Sequence, residues 1–336
     1  MSREPNESAA RLRGPILRSV SRSFYLSIRL LPAKLRDPIG LAYLLARATD
    51  TIADTAVLSA SERMEQLATL AGLIQGNVAP DEAASLERFA AVQDDATERA
   101  LITAIPACLA WLDALSASDQ QDIRKVLREI NEGQALDVRR FGSASGIVAL
   151  QTGAELDRYT YLVAGSVGEF WTTTCFRHVA KFSSDNEETM IARGVAYGKG
   201  LQLINIVRDI GPDLRIGRCY LPTDELRSLG LTPADLLRDP ERANHVLQAC
   251  RERAEGGIAA GIEYACAIRS PRLRLATVLP ALIGARTLAL LRNAGAAAFT
   301  TKVKVTRPEV RSILLTMIGS LASPRAIRTT FARLSS

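Results

Sequence analysis

From Leu12 onward almost every stretch of this chain repeats apolar residues at spacings of three and four, and no other feature constrains the fold as strongly. The period runs through "LRSVSRSFYLSIRLLP", which stops at Pro32, and then through "KLRDPIGLAYLLARATDTIADTA". In "SASERMEQLATLAGLIQG" a capping box is expected, with Ser59 or Ser61 ahead of Glu65. Aromatic residues make up only 5% of the chain, and the β-branched and aromatic runs of a sheet protein are missing. About ten or more helices joined by short polar loops are expected, with no linker and no fixed repeat. The economical architecture is all-α: a single domain over residues 12–330 around a central cavity, behind a disordered tail at 1–11.

The bulk chemistry narrows the function. A formal charge of +6 without a long Lys/Arg run argues against nucleic acid as a partner. The basic balance reads as a solvated surface or as a face toward an anionic substrate or membrane. Cys108, Cys175, Cys219, Cys250 and Cys266 contain no CxxC pair, so neither a disulfide scaffold nor a structural zinc site is expected. A reducing, cytoplasmic location is expected, with peripheral contact at a membrane surface allowed. Two histidines, His178 and His245, are too few and too far apart for a His-based metal site or a Ser-His-Asp triad. The N-terminal "MSREPNESAA" lacks an apolar signal core, and no uninterrupted apolar stretch long enough to span a bilayer is read from the sequence.

Chemistry collects on two otherwise apolar helices. In "YLLARATDTIAD", Tyr43, Arg47, Asp50 and Asp54 share one helical face. In "GLQLINIVRDIGPD", Gln202, Asn205, Asp209 and Asp213 do the same. Unpaired carboxylates repel and lose hydration in a cleft, and a shared divalent cation resolves the conflict. Mg²⁺ takes one or two carboxylates together with substrate phosphates, so the two rows look like a Mg²⁺–diphosphate site suited to ionising a diphosphate ester. Pro212 should end its helix near Asp209–Gly211 and leave Asp213 on a turn.

With these motifs in place, the chain resembles the squalene/phytoene synthase family. "SRSFYLSIRLLP" (21–32), "YLLARATDTIAD" (43–54), "DRYTYLVAGSVG" (157–168), "LQLINIVRDIGPDLRIGRCYLP" (201–222) and "KVKV" (302–305) are similar to its motifs, in its order. Two positions depart from it: Ala53 and Pro212 stand where many members carry a third acid.

The resemblance implies that Asp50, Asp54, Asp209 and Asp213 hold Mg²⁺ against two prenyl diphosphates. It implies that Arg47, Gln202, Asn205 and Arg208 bind those diphosphates or metal-bound waters, and that Ser21, Arg22 and Phe24 meet the acceptor. Arg218, Tyr220 and Lys302 would close over the phosphates from mobile segments. Tyr159 would sit by the reacting carbons. A phenol with a pKa about 10 is a poor free base, so the released diphosphate is the expected proton acceptor. The small residues Ala164, Gly165 and Gly168 read either as room for a prenyl chain or as close helix packing. The implied reaction is a head-to-head condensation of two farnesyl diphosphates through a cyclopropylcarbinyl diphosphate. Reduction by NADPH, with Lys302 and Lys304 on the cofactor, then yields squalene. The alternative is proton loss to phytoene or dehydrosqualene without NADPH. A non-catalytic assembly relative of the fold is a remote third reading, and all four aspartates stand against it.

Overall fold

The computed structural model describes residues 11–21, 28–29, 31–77, 83–143, 146–320 and 322–336. The described residues are overwhelmingly helical and form two compact units, residues 1–143 and 144–336.

The first unit opens with a π-helical turn, Leu12–Ile16, that runs into α1 (Leu17–Ser21). Pro32 makes the expected stop, and α2 (Ala33–Asp54) begins immediately after it. Then come α3 (Ala60–Gln75), α4 (Ala83–Ala91), α5 (Ala96–Thr103), α6 (Ile105–Asp113) and α7 (Ala117–Phe141). The capping box of α3 pairs Ser59 with Glu62, not Glu65. Only the third helical residue can reach back to the cap, and the Ser59 N–H donates to Glu62 Oε2 at 2.8 Å. On α2, Leu41, Leu44, Leu45, Ala48 and Ile52 form one fully buried stripe. It packs on α3 and α7, which contribute Leu67, Leu70, Ile123 and Leu127. Each buried leucine or isoleucine contributes about 1.5–3 kcal/mol. Arg47, Asp50 and Asp54 lie on the opposite side of α2, so the packing that anchors the helix also fixes where they face.

The second unit contains β1 (Val148–Ala149), α8 (Gly153–Thr160), a π-helical turn at Tyr161–Gly165, and α9 (Ser166–His178). Next are α10 (Glu187–Arg208), α11 (Ile210–Arg215), β2 (Arg218–Cys219) and α12 (Thr223–Ser228). It closes with α13 (Pro240–Ala267), α14 (Pro271–Ala294), a 3₁₀ turn Gly295–Phe299, α15 (Arg307–Gly319) and α16 (Pro324–Ser335). α10 is central, with α9, α13 and α14 around it. Among the described residues the β-structure is one parallel pair, β1 with β2, and one isolated bridge, Ser183 with Ile268.

The segment Pro271–Phe299 is long and apolar enough to cross a membrane, with an 18-residue window of mean hydropathy 1.5, although no uninterrupted apolar run marks it in the sequence. More than half of that window is buried inside the protein, as for a helix that packs in a core.

The small residues after Tyr159 serve backbone packing. A Cβ on Gly168 would lie 2.0 Å from the Gly194 carbonyl oxygen, so α9 and α10 touch through their main chains. Gly168→Ala therefore has no side chain to push aside. We expect it to cost about 3 kcal/mol, at the upper end for overpacking, and to lower the urea midpoint of unfolding correspondingly.

Candidate active site

In the first unit α2 places Tyr43, Arg47, Asp50 and Asp54 on one line, as the spacing predicts, and neighbouring helices fasten it. The Gln134 amide of α7 donates to Asp50 Oδ1 at 2.5 Å. Arg47 bridges two carboxylates, Glu98 of α5 at 2.6 Å and Asp50 at 3.8 Å. Arg63, almost fully buried on α3, donates to the Ala53 carbonyl at 2.9 Å. That carbonyl is one of the unpaired acceptors of the α2 C-terminus, and a cation there suits the helix dipole. Tyr43 Oη donates to the Val20 carbonyl at 3.3 Å.

These contacts leave Asp50 poorly compensated. Its side chain keeps 40% of its surface accessible. Even so, crowding by protein atoms and the resulting loss of hydration raise its pKa from 3.8 to about 6. Arg47 pulls the other way, Asp54 adds to the rise, and the Gln134 hydrogen bond opposes it. Burial likewise raises Tyr43, with Arg47 opposing and Asp50 assisting.

In the second unit α10 ends at Arg208, with Asp209 at the junction (φ −100°, ψ 10°), close to where Pro212 required a stop. The expectation that a turn carries Asp213 is corrected. The chain restarts as α11, with Pro212 as its third residue, where a backbone N–H has no intrahelical partner to lose. The Asp213 N–H donates to the Asp209 carbonyl at 2.9 Å, so the two acids keep their one-turn spacing across the break. Arg208 forks onto both oxygens of Asp209. Asn205 donates to Gln202 at 3.3 Å.

Gly211, between the two acids, lies against Phe299: an added Cβ would be 2.1 Å from its carbonyl oxygen. That contact brings the start of the strip after Phe299 to α11. Along the strip Val303 and Val305 are buried while Lys302 and Lys304 are exposed, an alternation that turns both ammonium groups outward. Arg218 and Tyr220 lie on and just after β2, which pairs with β1. Val148 N–H donates to the Gly217 carbonyl at 2.9 Å, and Leu150 N–H to that of Cys219 at 3.2 Å. Tyr220 stacks on Tyr159 with ring centroids 5.0 Å apart, and both rings are buried. Directly after Tyr159, the Ser166 N–H reaches back five residues to the Tyr161 carbonyl, a π-turn of the kind that recurs at functional sites.

Ser21 is buried, and its hydroxyl donates to the Leu17 carbonyl. Arg22 and Phe24 lie outside the described residues. Glu98, Gln134 and Arg63 were not read from the sequence. They are single polar residues on helices remote in the chain, and only tertiary packing singles them out.

Among the described residues no group of three or more His, Cys, Asp and Glu side chains could hold a metal by itself. Each unit instead offers a carboxylate pair. Such an all-oxygen pair suits Mg²⁺, which completes its shell from water and substrate phosphate. The donor set is the observation in favour: Asp50 and Asp54 stand one turn apart with Arg47 no nearer to Asp50 than 3.8 Å, and a cation would neutralise the pair.

Comparison with known proteins fits this arrangement. The family model described as squalene/phytoene synthase matches residues 17–309. A bifunctional lycopene cyclase/phytoene synthase of Phaeosphaeria nodorum is 31% identical over 228 residues, 68% of this chain and 36% of that protein. Phytoene synthase 3 of Zea mays, chloroplastic, is 29% identical over 67% of this chain and 45% of its own length. The chain thus spans between a third and a half of the length of these relatives. Its fold is similar to that of TcSQS solved with the ligand E5700, with a TM-score of 0.74 at 23% identity, covering 96% of this chain and 90% of that one. The likeness shows the all-α fold that the helical period called for, and its isoprenoid-synthase type is the one the family resemblance implied. The chain belongs to the squalene/phytoene synthase family.

Proposed function

We propose that this chain condenses two farnesyl diphosphates head to head, with Mg²⁺, and reduces the cyclopropylcarbinyl intermediate with NADPH to squalene. The observation that carries the condensation is the pair of one-turn carboxylate rows, Asp50/Asp54 and Asp209/Asp213, each with an arginine beside it.

In the first half-reaction the C1–O bond of one diphosphate breaks and C1 bonds to the 2,3 double bond of the second. A proton leaves to the released diphosphate. Asp50, Asp54, Asp209 and Asp213 would hold Mg²⁺, which when bound neutralises the charge growing on the leaving group. Gln134 orients Asp50, and Glu98 holds Arg47 where its other guanidinium edge meets a phosphate. Gln202 and Asn205 offer amides along the same face of α10 as the second pair. Tyr159, braced by Tyr220, orients a diphosphate oxygen and presents an aromatic face that keeps water from the cation. In the second half-reaction the C–O bond of the cyclopropylcarbinyl diphosphate breaks, the second diphosphate leaves and the ring opens. NADPH when bound supplies the hydride, and Lys302 and Lys304 offer outward cations for its phosphates. All five cysteines are free thiols, four of them buried, which supports a cytoplasmic location.

A second reading ends in proton loss, giving phytoene or dehydrosqualene without NADPH. The 31% identity to a protein named as a phytoene synthase favours it, and the lysine pair would then clamp substrate diphosphate.

The test incubates purified protein and Mg²⁺ with farnesyl or geranylgeranyl diphosphate, with and without NADPH. Squalene formed only with NADPH supports the first reading. A hydrocarbon formed regardless of NADPH selects the second, and no release of diphosphate from either substrate sinks both. Under the first reading Lys304→Ala lowers squalene yield while leaving formation of the cyclopropyl intermediate unchanged.

A further inference from the structure

Charge is not spread evenly along this chain. Residues 301–336 hold seven of the 42 Lys and Arg and one of the 36 Asp and Glu, so their net +6 equals the formal charge of the entire chain. Everything before them balances to zero. The one acid of the segment, Glu309, is already engaged: it closes the capping box on Thr306 and accepts from Arg286 at 3.0 Å. Arg328 is paired with Glu263 at 2.7 Å. Arg307, Arg311, Arg325 and Arg333 have no carboxylate partner among the described residues and are exposed.

On α15, Arg307, Arg311, Leu315 and Ile318 are spaced at steps of four, four and three and share one face. Leu315 is 68% exposed and Ile318 48%, while Ile313 and Met317 on the other side are buried. They are the only exposed large apolar residues among those described that share a helix. Thr316, beside Leu315, lines a groove of about 440 Å³ together with Ser323, Ala326, Arg325 and Arg333, so the arginines of α16 border the same surface.

We infer that the α15–α16 face docks on an anionic phospholipid bilayer, its arginines on headgroup phosphates and Leu315 and Ile318 in the acyl boundary. Two aliphatic tips are far too little for a stable protein interface, but with several cations they suffice for reversible binding at a lipid surface. A second copy is disfavoured, because a two-fold contact would set this cationic face against itself.

The test is co-sedimentation of the whole chain with vesicles of phosphatidylcholine alone, or with a third of it replaced by phosphatidylglycerol. Binding is expected only with the anionic lipid and should weaken steeply as salt is raised. Arg311→Ala with Arg325→Ala should weaken it about 25-fold, at about fivefold per arginine near such a surface. Leu315→Ser with Ile318→Ser should weaken it separately, with turnover on detergent-dispersed substrate unchanged in both variants. Equal binding to neutral vesicles, or no loss in either double variant, overturns the assignment. So does a dimer in light scattering that Leu315→Ser with Ile318→Ser converts to monomer, since the face would then belong to a second copy.

Discussion

Asp50→Asn is expected to slow release of diphosphate by about a thousandfold or more while making the protein without Mg²⁺ more stable at pH 8. The two effects share one cause. Folding crowds Asp50 and raises its pKa from 3.8 to about 6. Above pH 6 the folded protein carries a carboxylate that is less well solvated than in the unfolded chain, so ionised Asp50 opposes folding there. As pH falls from 6 toward 4, the folded state takes up a proton that the unfolded state does not, and the penalty disappears. The gain in thermal stability from asparagine should therefore be full at pH 8 and lost near pH 4. Arg47 keeps Glu98 at 2.6 Å, and the asparagine carbonyl still accepts from Gln134, so the variant should fold. The same shift predicts that the apparent Mg²⁺ requirement rises as pH drops through 6, because a metal needs the deprotonated ligand. Melting curves at the two pH values and a diphosphate-release assay check both halves. Turnover near that of the unmodified protein would remove Asp50 from the site.

The α-helical class was legible because a three-to-four period survives any tertiary detail, and the acid rows because carboxylates on apolar helices are conspicuous. Partners that hold those acids were not. Gln134 and Glu98 are ordinary residues of polar helix faces until α7 and α5 pack beside α2. The break at Asp209 was expected from Pro212, yet the restart as α11 was not, since proline removes a donor without dictating the conformation of the residues after it. The glycines of "VAGSVG" carried two readings, and only the 2.0 Å approach of Gly168 to the Gly194 carbonyl chose packing.

Gly211→Ala is expected to cut turnover by about a hundredfold without removing any polar group. Its Cβ would sit 2.1 Å from the Phe299 carbonyl oxygen, and neither main chain has a flexible side chain to yield. Either α11 or the Phe299 turn must move by about an ångström to restore an ordinary contact. α11 carries Asp213 and is tied to Asp209 by the 2.9 Å bond across the break, while the Phe299 turn leads into Lys302 and Lys304. A displacement of that size at groups that position a leaving diphosphate costs about 10²-fold even when every group is present. The loss should fall on kcat with farnesyl diphosphate, and Gly211→Ser should do no better, because the collision is with the Cβ that both variants share. Circular dichroism should remain that of a helical protein. If Gly211→Ala turned over at the unmodified rate, the contact between α11 and the Phe299 turn would have no part in placing the second acid pair.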